Sequence, residues 1–355
     1  MHRSLKSDCA AITGGAGFIG HRLADRLLSR GMRVVILDDL SAASAGANAA
    51  WLRTRHGHRL RLLDADIRDG AARREMLREA SVVFHLAAQT NPLRSLSRPR
   101  SDFALNARAS AELVADLLAA DAGPALVFAS GRQVYGSLRQ VKVRAAGSRL
   151  EPLDRELAEQ GIGETWPVDF ATPLACSKGA AEQHVLGAAA RGAPAVVVRL
   201  GAVYGPGAAA TGDIDSLSGF ALRVLAGEGW VAVHGDGRQT RDWLHVDDAV
   251  EALLAAAERA RALSGEVFNA GGGPANTASE LELLRLLLPR GPLPPLAHLP
   301  VLQSEPGYFV CDNRKFAAAT GWTPLMRLAS GIEELREWIN AESRPAPDLA
   351  GEMAV

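Results

Sequence analysis

The sequence predicts an α/β fold: a doubly wound parallel sheet followed by a smaller C-terminal α/β lobe. Two observations predict it. Short apolar runs rich in Val and Ile alternate with longer amphipathic stretches over the first 200 residues, as successive βαβ units require. A glycine-rich turn, T-G-G-A-G-F-I-G (13–20), joins the first of those runs directly to the first helical stretch. In chain order, the candidate strands are C-A-A-I-T (9–13), R-V-V-I-L-D (33–38), R-L-L-D-A-D (61–66), V-V-F-H-L (82–86), A-L-V-F-A-S (125–130) and A-V-V-V-R-L (195–200). Amphipathic stretches near 18–30, 69–79, 101–121 and 175–191 lie between them. Right-handed crossovers place such helices on both faces of the sheet. After about residue 200 the rhythm breaks, and Gly and Pro gather around 205–212, 271–274 and 289–300. The expected division is 1–202 for the sheet and 203–340 mainly for the second lobe. Elements near 240–270, including the helix D-D-A-V-E-A-L-L-A-A-A-E (247–258), return to the sheet. The Pro- and Ala-rich tail, 341–355, is expected to be disordered.

Composition narrows the function classes. The 355 residues suffice for two lobes, and a 48% hydrophobic content supports a sizeable soluble core. Thirty-nine basic against 40 acidic residues leave a net charge of -1. That balance gives no footprint for nucleic acid and no polybasic membrane anchor. Local Arg clusters (53–61, 139–149) read as solvated faces. Three scattered cysteines, Cys9, Cys176 and Cys311, make neither a disulfide framework nor a Cys-pair metal site, so no metal is expected. The start, M-H-R-S-L-K-S-D, has no apolar signal core, and no run of about 18 apolar residues occurs. A cytoplasmic protein is expected.

The glycine turn sits between a strand and a helix, in the context that makes it a dinucleotide-binding signal. Gly14 allows the tight turn, Gly17 lets backbone approach a pyrophosphate, and Gly20 lets the helix pack on the strand. Phe18 and Ile19 open the helix, whose N-terminus offers unpaired N–H groups to phosphates. The second strand ends in Asp38, followed by Asp39. A carboxylate there accepts ribose hydroxyls and repels a 2′-phosphate, so NAD is expected rather than NADP. Asp66 and Ile67 stand where an acid can meet the adenine amino group. The fourth strand ends in H-L-A-A-Q (85–89), where Leu86, Ala87, Ala88 and Gln89 leave room beside the sheet. His85, inside an apolar strand, reads as a packed, hydrogen-bonded histidine.

Together these residues resemble the extended short-chain dehydrogenase/reductase superfamily, in its NAD-dependent nucleotide-sugar epimerase and dehydratase family, over roughly residues 9–340. The motifs are T-G-G-A-G-F-I-G, D-I-R-D (66–69), H-L-A-A-Q, V-Y-G (134–136), S-K-G-A-A-E-Q (177–183), V-Y-G-P (203–206) and G-D-G-R-Q-T-R-D-W-L-H-V-D-D (235–248). Within it the sequence is most similar to the CDP-paratose 2-epimerase (CDP-tyvelose-forming) branch. The carriers are C-S-K-G-A-A-E-Q, G-G-G-P-A-N-T (271–277) and the long segment between V-Y-G and Lys178.

The resemblance implies a Rossmann-type doubly wound sheet, a substrate lobe and a homodimer packed through helices near 101–121 and 174–191. It also implies a nucleotide-diphosphate sugar as substrate. Asn106 joins the cofactor contacts, Thr90 the substrate contacts, and Arg241 the diphosphate, unless Arg241 is tied up with Asp242 or Asp247. It further implies a Tyr four residues before the Lys, which takes the sugar hydroxyl proton. The Lys holds the nicotinamide ribose. A Ser or Thr four residues before the tyrosine of V-Y-G completes the set.

Here Lys178 fits, but the Tyr position is Leu174 and the Ser/Thr position is Gly131. The chain has three tyrosines, Tyr135, Tyr204 and Tyr308, and none stands four residues before a lysine. The family pattern also departs at Ala202 and Ala208. An Arg usual near Q-S-E-P-G-Y-F (303–309) is absent as well. Candidates for the missing chemistry are Glu164 and Asp169 as bases, Arg132 as an oxyanion partner, Gln133 as a hydrogen-bonding group and Lys178 itself. Cys176, two residues past Leu174, should point away from that face. The expected function is an NAD-dependent nucleotide-sugar epimerase working by transient oxidation and hydride return, with a non-standard acid/base. A dehydratase, or an inactive NAD-binding sensor or partner protein, stands as the alternative.

Overall fold

The computed structural model describes residues 9–120, 123–207, 216–227, 229–290, 292–301 and 304–342. Seven parallel strands form the main sheet: β1 Cys9–Thr13, β2 Arg33–Asp38, β3 Leu60–Asp64, β4 Ala80–His85, β5 Ala125–Gly131, β6 Ala195–Leu200 and β7 Val267–Ala270. Their order is β7-β6-β5-β4-β1-β2-β3, with the chain reversing its direction of winding at β1.

Alternation along each strand builds two cores. Ile12, Ile36, Phe84, Val127 and Val198 face one side, packing on Leu23, Leu27 and Leu253. Ala11, Val35, Val83, Phe128 and Val197 face the other, packing on Leu113, Ala181 and Val185. Burial of both faces explains why these strands read as continuous apolar runs.

Helix α1 (Phe18–Ser29) follows β1, α2 (Pro173–Ala190) precedes β6, and α3 (Val246–Glu258) returns from the second lobe to cover the sheet. The third strand ends at Asp64, which leaves Asp66 in the loop beyond it. The stretch expected as one helix over 101–121 is interrupted. Pro99–Phe103 leads into a π-helical turn, Ala104–Arg108, and then Ala109–Leu118.

The second lobe centres on Thr240–His245, flanked by Thr277–Ala278, Tyr308–Phe309 and Ala202–Tyr204. Tyr204, Phe220, Trp243, Leu284 and Leu335 form its core. A helix runs over Leu328–Glu342. Residues 341 and 342, expected in the disordered tail, close that helix instead, and the rest of the tail, 343–355, lies outside the described residues, as does Ala208.

Candidate active site

A cleft of about 510 Å³ opens at the C-terminal ends of the sheet strands, against the second lobe. Its first half is built by the glycine turn. Gly14 has φ 68°, and a Cβ there would fall 2.8 Å from the backbone N of Ala87. A Cβ on Gly20 would fall 2.1 Å from the carbonyl oxygen of Gly14, which draws α1 against the end of β1. No side chain caps α1, so its first N–H groups face the cleft between Gly17 and Gly20. Gly20→Ala forces backbone against backbone, and NAD affinity is expected to drop at least about tenfold. Calorimetric titration with NAD checks this; an unchanged affinity would count against the glycine cradle.

Asp38 ends β2 on the cleft wall. Its Oδ2 accepts from Ala16 N (2.9 Å) and its Oδ1 from Leu40 N (2.9 Å), which fixes the carboxylate. Burial raises its pKa, against those two hydrogen bonds. Asp39 also lines the cleft and accepts from Ser41 Oγ at 2.6 Å. Asp66 lines it too, but its carboxylate is already gripped by the Arg68 guanidinium, which holds it below the usual range. Phe18, Ile19, Ile67, Leu86, Ala87 and Ala88 complete this wall. The uncapped helix end, the glycine cradle and the fixed carboxylate fit an NAD dinucleotide, whose phosphates α1 would hold and whose ribose Asp38 would hold.

Gln89 and Asn106, expected as cofactor contacts, stand behind the wall instead. Asn106 Oδ1 accepts from Gln89 N and its Nδ2 donates to Gln89 O, each at 2.8 Å. The Gln89 side chain donates to Asn91 O and to Asp102 Oδ1. The π-helical turn therefore braces the loop that follows β4.

The second half is built around α2 and the end of β5. Thr172 Oγ1 caps α2 through Ala175 N (3.1 Å) and Pro173 opens it, fixing the helix register. Leu174 and Lys178, one turn apart, are both buried and both on the cleft wall. Lys178 Nζ donates to Ala129 O at 3.1 Å and lies 5.1 Å from the centre of the Phe128 ring. Burial pushes its pKa down to about 8, against the opposing pull of Glu182 and Asp102. Cys176 is exposed, its thiol turned to Phe170 O, away from the Leu174 face.

A Cβ added to Gly131 would lie 2.4 Å from Gln133 Oε1. The Gln133 carboxamide thus fills the space that a hydroxyl-bearing side chain at 131 would take. Ser130 belongs to none of the motifs above. It is buried on the cleft wall, and its hydroxyl meets no hydrogen-bond partner among the described residues. Strand alternation from Phe128 was the available signal, since both side chains face α2.

Arg132, Arg241 and Thr90 also line the cleft. Arg241 pairs with neither Asp242 nor Asp247. Its Nη2 donates to Glu305 Oε2 at 3.1 Å, and Arg132 Nη2 donates to the same oxygen at 3.1 Å. Burial opposes ionisation of Glu305, but the two guanidinium groups outweigh it and hold the carboxyl at about 2.

Two expected bases stand elsewhere. Glu164 accepts from the backbone N of Asn269 at 2.7 Å, under the end of β7, and is not on the cleft wall. Asp169 is exposed and turned toward Ser137 Oγ. The loop before α2 runs outward there, so nearness in sequence does not bring either carboxylate inward.

None of the three tyrosines lies on the cleft wall. Tyr135 donates to Asn269 Oδ1 and accepts from Arg199, which pairs with the buried Glu182. Tyr308 donates to Leu157 O, and Tyr204 is buried in the second lobe. His85 is buried between Thr13 Oγ1 and Ser110 Oγ, each at 2.7 Å, and burial pushes its pKa down to about 3. Among the described residues, no His, Cys, Asp and Glu cluster suited to a metal occurs, and no helix is long and apolar enough to cross a membrane.

Fold and cleft define a dinucleotide-binding α/β protein, and residues 10–271 match the NAD dependent epimerase/dehydratase family, to which the chain belongs. Among its relatives is the CDP-paratose 2-epimerase of Salmonella typhi, 30% identical over 338 residues, covering 93% of this chain and 98% of the relative. The UDP-glucose 4-epimerase of Mycolicibacterium smegmatis is 30% identical, covering 94% of this chain and 99% of its own. Among solved structures, MoeE5 in complex with UDP-glucose and NAD superposes with a TM-score of 0.72 at 26% identity, over 94% of this chain and 99% of that one.

Proposed function

We propose that the protein is an NAD-dependent nucleotide-sugar epimerase in which Lys178 carries the proton. Family membership and relatives that epimerise CDP- and UDP-sugars support the reaction class. One observation carries the acid/base assignment. In the catalytic half of the cleft, the ionisable side chains among the described residues are Lys178, Arg132, Arg241 and Glu305. Arginine stays protonated, and Glu305 is held ionised by two arginines, far too weak a base. Lys178, at about 8, is the one poised to exchange a proton near neutral pH.

NAD, when bound, takes a hydride from the carbinol carbon of the sugar and later gives it back. The Lys178 amine takes the hydroxyl proton as that hydride leaves. Ala129 O and the Phe128 face then hold the ammonium. The Gln133 amide and the Ser130 hydroxyl are placed to hydrogen-bond the reacting oxygen. The ammonium returns the proton once the sugar has turned its other face, so the net oxidation state is unchanged.

A dehydratase would call for an acid at 132 or 133, where Arg and Gln stand. Assembly as a cytoplasmic homodimer through the helices around 101–121 and 174–191 goes with this reading, and Phe103, 57% exposed beside them, supports it. The test supplies the purified protein with CDP-, dTDP- and UDP-hexoses and no added NAD. An epimer with no NADH released to solution is expected. Tight binding of sugar nucleotide and cofactor with no turnover would instead favour a sensor.

A further inference from the structure

The substrate wall holds an Arg–Glu–Arg group. Glu305 Oε2 lies 3.1 Å from Nη2 of both Arg132 and Arg241. The side chains are only 15%, 11% and 8% exposed. The Nε of Arg241 is buried with no partner among the described residues. Two guanidinium forks converging on one point make an anion site. Here a carboxylate of the protein occupies it, so the group carries one net positive charge where the arginines alone would carry two.

The arginines are rooted differently from the acid. Arg241 belongs to the central strand of the second lobe, and Arg132 follows β5 directly, its guanidinium 5.9 Å from the Phe309 ring. Glu305 comes from a turn held at Gly307 O by Thr240 N. A shift of that turn would release both forks.

We propose that Glu305 is an internal counter-ion that competes with the substrate's diphosphate for Arg132 and Arg241. This rests on the nucleotide-sugar reading above. A purely supporting role for Glu305, in which it aims the forks at the ligand, predicts the opposite sign on substitution. A charge-assisted hydrogen bond contributes enough to shift affinity by about tenfold.

The experiment titrates CDP and UDP, and the matching nucleosides cytidine and uridine, into the NAD-loaded wild type, Glu305→Gln and Glu305→Asp. Glu305→Gln is expected to bind the diphosphates about tenfold more tightly and the nucleosides equally. Glu305→Asp, whose carboxylate falls short of the forks, is expected to tighten binding in the same direction. Increasing salt should shrink the gain. Unchanged or weaker diphosphate binding by both variants, with NAD still retained, would overturn the proposal. Failure of the wild type and both variants to bind either diphosphate would overturn the nucleotide-sugar reading and this proposal with it.

Discussion

Lys178→Met is expected to lower turnover by about 10²–10⁴-fold, the usual worth of general acid/base help. Methionine keeps the length and apolar stem of the side chain, and the site is already buried, so packing on Phe128 survives. The other ionisable groups in the catalytic half of the cleft, Arg132, Arg241 and Glu305, are two guanidinium groups that keep their protons and a carboxylate far weaker as a base than a lysine amine. Lys178→Arg should not restore activity, since a guanidinium does not give up its proton. The wild-type pH profile supplies a second signature. Burial disfavours the ammonium and sets the pKa at about 8. The free amine therefore predominates only above that pH, and turnover should rise with pH and level off past about 8. Lys178→Met should lose that limb. A wild-type profile flat from about pH 6 to 9 would count against the lysine as base.

Leu174→Tyr is expected to raise turnover, by about 10²-fold if the phenol reaches the reacting hydroxyl. Leu174 is 1% exposed, on the cleft wall one turn before Lys178. A tyrosine there would extend into the cleft, beside an ammonium that lowers its pKa. The rising limb of the pH profile should move down as the phenol takes over from the amine. A loss of activity with NAD binding intact would show that this cleft is shaped around the leucine.

Much of this arrangement was legible in the sequence, and the rest was hidden for physical reasons. Strands 9–13, 33–38 and 195–200 were readable to the residue because burial on both faces leaves an uninterrupted apolar run. The pairing of Leu174 with Lys178 on one wall followed from helix geometry alone. The seventh strand escaped because Val267–Ala270 is four residues long and carries Asn269, buried to receive Tyr135 and to donate to Ile162 O. Helix Ala45–His56 escaped because A-G-A-N-A-A has scarcely any apolar stripe. Glu305 sits 64 residues from Arg241 and 173 from Arg132, so no spacing rule joins them. Its segment, moreover, drew notice for the arginine it lacked. Glu164 and Asp169 show the reverse error: close to α2 in sequence, they are turned away from the cleft by the loop that carries them.

Hydride transfer without a tyrosine leaves its mark on the bound cofactor. Purified protein is denatured, and the released cofactor is quantified by absorbance, before and after a nucleotide sugar is added. Stoichiometric NAD is expected, part of it converted to NADH by the sugar in the wild type and far less over the same interval in Lys178→Met. No retained NAD, and no affinity for it on titration, would leave the glycine turn without a cofactor to hold and rule out hydride transfer here.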